Sequence, residues 1–290
     1  QMAVALDPEG RTHFVRLLTY LPGVPLAQFK PHSPELLHRL GTFMGKLSTA
    51  LKDFQHSAAT RYLKWDLQHA PEVIRRHLGH ITSPQQRALV ERFLAHFERE
   101  ATPKLTHLRT GIIHSDANDY NILVNWQGVD ATAFGIIDFG DIVESYTICE
   151  LAIAATYALL DKGDPIDTVS QIVNGYHAVF PLTEIEIDTL FHFICLRLCL
   201  SVSMSAYQQK IEPDNDYLVI SQKPAWRALK KLNDVHPRFA TAAFRHACGW
   251  QPNPTAIKVA KWLKKNSLQM GTILQNDLSK ARTHVFDLSI

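Results

Sequence analysis

Apolar and polar positions alternate with two different periods along this chain, and the change of period divides it. Leu36, Leu37, Leu40, Phe43, Met44, Leu47 and Leu51 recur at helical spacing. Ser33-Pro34-Glu35 opens that run, with Ser33 suited to cap and Pro34 to the first helical position. A second helix is expected from Ser83, which forms a capping-box pattern with Gln86, to about Leu108, with a charged outer face. Ahead of both, Met2–Leu6 and His13–Tyr20 read as a hairpin around Asp7-Pro8-Glu9-Gly10. Leu21-Pro22-Gly23 breaks the second strand, and the proline-rich stretch Leu21–Pro31 reads as a connector. Two strands alone do not make a stable sheet, so the hairpin needs partners.

Short strands are expected at Gly111–His114, Ile122–Trp126 and Ala133–Asp138, the last an apolar run ending in an acid. Helical periodicity then continues nearly to the end: Tyr146–Leu160, Asp167–Ala178, Thr183–Gln209, Tyr217–Leu232, Pro237–Cys248 and Thr255–Lys265. Thr183 and Glu186 are placed to cap the longest of these. The tail from Asn266 carries no clear pattern before Val285-Phe286-Asp287-Leu288.

A formal net charge of +2 gives no electrostatic reason to expect nucleic acid or an anionic membrane as partner. Lys258, Lys261, Lys264 and Lys265 fall on the last helix with the single aromatic Trp262, which reads as a solvated face. Cys149, Cys195, Cys199 and Cys248 lack zinc-site spacing and read as buried free thiols in a reducing compartment. Gln1-Met2-Ala3-Val4 does not begin a signal peptide. The apolar stretch near Ile148–Leu160 contains Glu150 and is too short to span a bilayer. A cytoplasmic protein is expected.

The chemistry concentrates between the short strands. His114-Ser115-Asp116-Ala117-Asn118-Asp119-Tyr120-Asn121 sets two acids and two amides in one loop. Ile136-Ile137-Asp138-Phe139-Gly140-Asp141 sets another acid at a strand end before a glycine turn. Phosphoryl transfer uses a carboxylate to orient the attacking hydroxyl and hard oxygen ligands to hold Mg²⁺ on the nucleotide phosphates. Asp116 stands five residues before Asn121, the interval of the protein-kinase catalytic loop, and Asp138-Phe139-Gly140 follows. Turn geometry alone also favours Asp and Asn, but the two motifs in this order support each other.

His114-x-Asp116 with a small middle residue resembles the aminoglycoside phosphotransferase and choline kinase superfamily. Within it, Asn118-Asp119-Tyr120-Asn121-Ile122-Leu123 is most similar to hydroxylysine kinase, as are Ile137-Asp138-Phe139-Gly140-Asp141 and the hinge-like Val15–Gly23. The resemblance runs from about residue 2 to about residue 234. It implies an α+β, protein-kinase-like fold with a reduced N-terminal β lobe and a mainly helical C-terminal lobe. The expected division is 1–24 as remnant N-lobe hairpin and hinge, 25–250 as C-lobe, and 251–290 as helix and tail or linker.

The resemblance also implies roles. Asp116 is the catalytic base, and Asn121 and Asp138 are ligands of Mg²⁺. The backbone of Thr19, Tyr20 and Leu21 meets the base of ATP or GTP, and His114 anchors the loop. Asp119, Asp141 and Glu144 are candidates for an acidic patch facing an amino group, each against the plainer reading of a solvated acid. Trp65 is a candidate aromatic wall or simply a core residue. Arg197, on the long helix with Tyr207, is a candidate for a substrate carboxylate or a structural ion pair, with Glu150 as one partner.

The implied activity is transfer of a γ-phosphoryl group to a hydroxyl of an amino alcohol or amino acid, foremost 5-hydroxylysine. An aminoglycoside- or choline-type kinase is the nearest alternative. The glycine-rich loop and the lysine strand that the family has before its hinge do not occur in this sequence. That makes an inactive pseudokinase fragment the alternative from another class. Asn266–Ile290 looks like the linker that follows such a module in fusions with a class III aminotransferase, which makes a fused or adjacent aminotransferase module a further expected partner.

Overall fold

The computed structural model describes residues 2–127, 130–212 and 222–269. Its strands are β1 (Met2–Leu6), β2 (Thr12–Arg16), β3 (Val24–Pro25), β4 (Thr110–Ile113), β5 (Ile122–Gln127), β6 (Asp130–Ile136) and β7 (Val143–Tyr146). Its α-helices are α1 (Pro34–Leu51), α2 (Ala70–His77), α3 (Pro84–Glu100), α4 (Ile148–Ala158) and α5 (Pro165–Val179). They continue with α6 (Glu184–Ile211), α7 (Gln222–Asn233), α8 (Pro237–Ala247) and α9 (Ala256–Lys265).

The helices carry the core. α6 packs against α2, α3, α4, α7 and α8. By length and composition α6 could cross a membrane, which the sequence reading credited to no segment. Within this fold 89% of its most apolar window is buried, so its apolar surface is already covered by neighbouring helices. Its N-terminus carries the expected capping box: Thr183 Oγ1 accepts from Glu186 N at 3.3 Å, and Glu186 Oε2 accepts from Thr183 N at 2.8 Å. α1 and α5 approach so closely that a Cβ on Gly41 would run into the Ile172 carbonyl, and one on Gly175 into the His38 carbonyl. Cys149, Cys195 and Cys199 are buried free thiols, as expected, whereas Cys248 is free but only half-buried.

Element bounds shift where local chemistry intervenes. The helix expected from Ser83 to Leu108 ends at Glu100, and Thr102–His107 tightens into a 3₁₀ turn. Pro103 explains this, since it has no N–H for the helical ladder. The return strand expected over His13–Tyr20 stops at Arg16, because the register sets Met2 opposite Arg16. All of β2 is exposed, and Phe14, Leu17, Leu18 and Tyr20 are more than two-thirds exposed. The helix expected at Tyr146 begins at Ile148, after the strand β7. The helix expected from Tyr217 is described from Gln222, the residues before it lying outside the described set. Residues 270–290, on which the linker expectation rests, also lie outside it.

Two antiparallel ladders place the loops that matter. β4 pairs with β7, Ile113 facing Val143, and β5 pairs with β6, Ile122 facing Ile136. Residues 114–121 join β4 to β5, and residues 137–142 join β6 to β7. Each loop is therefore pinned at both ends to the other. β3, within the connector, adds a third strand to β5.

Candidate active site

His114, at the end of β4, is fully buried and braces both loops. Its ring Nε2 lies 3.0 Å from the Ile137 carbonyl, and its Nδ1 accepts the Asp116 N–H at 3.3 Å. One neutral tautomer, with the proton on Nε2, satisfies both bonds. Burial lowers the His114 pKa in agreement with that form. The ring edge meets Phe139 at 4.8 Å between centroids. Beneath the loop, the His114 amide donates to Glu150 Oε2 of α4 at 2.5 Å. Burial pushes the Glu150 carboxyl up to about 7. Ser115 then turns through a left-handed conformation, φ 67°, that directs Asp116 outward.

Asp116 is held by three donors. Oδ2 accepts from Asn118 Nδ2 at 3.0 Å and Asn121 Nδ2 at 2.7 Å. Oδ1 accepts from Arg197 Nη2 at 3.2 Å. Burial raises its pKa, and the Arg197 charge pulls the other way. Asn118 Oδ1 in turn accepts the amides of Tyr120 and Asn121 at 2.9 and 3.1 Å, which closes the loop into a turn.

Asn121 also donates Nδ2 to the Asp116 carbonyl at 2.9 Å. Its amide nitrogen thus faces Asp116 and its amide oxygen faces away. Asp138 is left-handed, φ 62°, and exposed, and its Oδ1 accepts one bond, from Gly140 N at 3.3 Å. These two oxygens are hard donors with spare capacity, a set that suits Mg²⁺ completed by phosphate and water. Among the described residues there is no cluster of three His, Cys, Asp or Glu that would form a closed metal site. Asn121 and Asp138 could therefore hold a metal in company with a nucleotide.

A cleft of about 300 Å³ opens beside Asp116, lined also by Trp65, Asn118, Asp141, Tyr157 and Arg197, and by the polar groups Ser201, Ser205, Gln208 and Gln222. Arg197 is 2% exposed. It donates from Nη1 to the Trp65 carbonyl at 3.1 Å and from Nη2 to Tyr157 Oη at 3.2 Å. Its guanidinium lies over the Trp65 and Tyr157 rings, 5.1 and 5.4 Å from their centroids. The partner of this buried cation is Asp116 and not Glu150, which lies under the loop and accepts from the backbone. Trp65 already has one face on Arg197, so its cation is supplied from within the chain.

Other candidates fall outside the cleft lining. Asp119 is tied to the connector by its backbone: its carbonyl accepts from Ala27 N at 2.8 Å, and burial raises its carboxyl to about 6. Glu144 is exposed and accepts from Thr60 Oγ1 at 2.9 Å. Tyr207 packs against His77 and His80 in tilted geometry, centroids 4.2 and 5.3 Å apart. Thr19 and Tyr20 are exposed, and Leu21 lies against Gly135 of β6. Of the substrate candidates, the structure brings together Asp141, Trp65 and Arg197. Sequence reasoning missed Tyr157, Ser201, Ser205, Gln208 and Gln222. A signal was present, because Arg197, Ser201, Ser205 and Gln208 recur every three or four residues along an otherwise apolar helix.

Two polar loops cross-braced between short strands, set against a large helical lobe, define a protein-kinase-like phosphotransferase fold. Solved structures agree on the fold. An amicoumacin kinase in complex with AMP-PNP and Ca²⁺ matches with a TM-score of 0.54 at 17% identity, over 79% of this chain and 68% of that one. The chain belongs to the phosphotransferase enzyme family, whose model matches residues 2–185. It is 34% identical over 236 residues to hydroxylysine kinase of Mus musculus, covering 78% of this chain and 62% of that protein. It is 33% identical over 244 residues to the Bos taurus enzyme, covering 81% and 64%. The chain thus spans less than two thirds of the length of these relatives.

Proposed function

We propose that this chain carries the catalytic half of a small-molecule kinase that moves the γ-phosphoryl group of ATP or GTP to a hydroxyl of an amino-containing metabolite, with 5-hydroxylysine as the preferred acceptor. The observation that carries the reading is the Asp116 carboxylate, fixed by Asn118, Asn121 and Arg197 at the wall of a cleft of about 300 Å³. Similarity to hydroxylysine kinases supports the choice of acceptor.

In this reading Asp116 accepts a hydrogen bond from the acceptor hydroxyl and takes its proton as the oxygen attacks. Asn121 and Asp138 hold Mg²⁺, which supplies charge neutralisation at the phosphates when bound. The cleft lining includes two carboxylates, Asp116 and Asp141, against one guanidinium, Arg197, a balance that favours a cationic amine. The hinge residues Thr19, Tyr20 and Leu21 meet the nucleotide base. Residues 1–24 are then an N-lobe hairpin and hinge, 25–250 the C-lobe, and 251–290 a helix and tail.

The test is a coupled assay with Mg·ATP and Mg·GTP over a panel of 5-hydroxylysine, choline, ethanolamine and aminoglycosides. Turnover with 5-hydroxylysine, abolished by Asp116→Asn and by Asp138→Asn in folded protein, is expected. Unchanged turnover in either variant sinks the residue assignment, and preference for another acceptor sinks the substrate.

A further inference from the structure

The turn that carries Asp138 has little of its own to hold it. Asp138 is left-handed with one local hydrogen bond, and Ile137 and Phe139 beside it are 39% and 46% exposed. Before it, the Ile137 backbone is held by Asn121 and His114; beyond it, support comes from a distant segment. Residues 60–68 contain no α-helix and no strand, yet they bond repeatedly to residues 140–145. Arg61 Nη2 donates to the Gly140 carbonyl at 2.6 Å and the Ile142 carbonyl at 3.1 Å. Thr60 Oγ1 donates to Glu144 Oε2 at 2.9 Å, and Gln68 Nε2 to the Glu144 carbonyl at 3.1 Å. Asp66, buried, accepts from Ser145 Oγ at 2.6 Å.

The same segment reaches the other loop. Trp65 lines the cleft, and its carbonyl is taken by Arg197, which also holds Asp116. One irregular stretch is therefore bonded to the Asp138 turn at one end and, through Arg197, to the Asp116 loop at the other.

We infer that residues 60–68 are a strap that sets the Asp138 turn relative to Asp116, with Arg61 as its positioning residue. Arg61 is not among the residues that line the cleft. It makes no ion pair among the described residues, and its charged donor is given wholly to two backbone carbonyls just beyond Asp138. Charge-assisted bonds of this kind are stronger than neutral ones. Holding those carbonyls fixes where the Asp138 carboxylate stands without contributing a ligand. The inference rests on the reading of Asn121 and Asp138 as the metal pair.

Hydrogen exchange and Mn²⁺ binding, on the full chain, decide it. In Arg61→Gln the amides of residues 138–146 are expected to exchange about tenfold faster, the factor that follows from losing roughly 1.4 kcal/mol. The fold is kept, and the melting temperature falls by no more than the few degrees that the same loss implies. Mn²⁺ binding followed by electron paramagnetic resonance, with AMP-PNP and with GMP-PNP, should weaken about tenfold. Arg61→Lys should recover part of both effects by reaching one carbonyl. Arg92→Gln, which removes an exposed bond to Asn233, should move neither. Unaltered exchange at 138–146 in Arg61→Gln overturns the strap. Unaltered Mn²⁺ affinity despite faster exchange overturns its positioning role. If the unsubstituted chain binds no Mn²⁺ with either nucleotide, the metal assignment fails and the positioning role with it, while the exchange arm still decides whether the strap exists.

Discussion

At the scale of single residues, the buried cation is the most consequential side chain outside the two loops. Arg197 satisfies Asp116, the Trp65 carbonyl and Tyr157 at once. Arg197→Met strands those acceptors, and breaking a mostly buried pair costs about 3 kcal/mol. Urea denaturation should show that loss, and Arg197→Lys should lose less. Glu150 makes a second prediction. Its carboxyl is raised from 4.5 to about 7 by burial, so the folded state binds a proton that the unfolded state releases first. Its contribution is full below about pH 4.5 and is lost as pH rises through about 7. Glu150→Gln should therefore flatten the fall in melting temperature between pH 5 and pH 8, relative to the unsubstituted chain. A parallel fall in both proteins would contradict it. The turn formed by Asp116, Asn118 and Asn121 was legible in the sequence because its bonds span two to five positions, whereas the Arg197 bond to Asp116 spans 81. Arg61 was not, because the carbonyl it binds at Gly140 lies 79 positions away.

Among elements, the α1–α5 contact sets the tightest constraint. Gly41 and Gly175 let two backbones meet where any side chain would intrude. Gly41→Ala forces the helices apart and should destabilise by about 1–3 kcal/mol, read from a shifted urea midpoint with unchanged slope. α1, α3 and α6 could be read from their caps, since Ser33, Ser83 and Thr183 all make the expected side-chain bonds. α2 went unread because its eight residues are too few to display a period against a polar background. β7 went unread because Val143-Glu144-Ser145-Tyr146 runs straight into α4, and only pairing with β4 shows it to be a strand. The two-residue β3 is likewise defined by its partner and not by its own sequence.

For the whole molecule, the imbalance between the helical body and the β1–β2 hairpin dominates. The hairpin displays Val4, Leu6 and Phe14 to solvent, with Leu18 just beyond it, and among the described residues its two strands pair only with each other. Apolar residues on such an exposed edge recruit other chains. Phe14→Lys with Leu18→Lys should lower light scattering of concentrated protein and leave the melting temperature of the helical body unchanged. Persistent scattering would locate the sticky surface elsewhere. The kinase-like organisation was legible from the motif order, whereas the shape of the cleft was not, because it is closed by helices α4, α6 and α7 whose meeting no local pattern encodes. The polar stripe Ser201–Ser205–Gln208 has an evolutionary consequence. It borders the cleft from one helix while the carboxylates of Asp116 and Asp141 stand on separate loops. If the proposed function holds, exchanges at these three positions would redraw which molecule is accepted and leave the transfer chemistry intact, so a lineage built on this scaffold could change its diet faster than its trade.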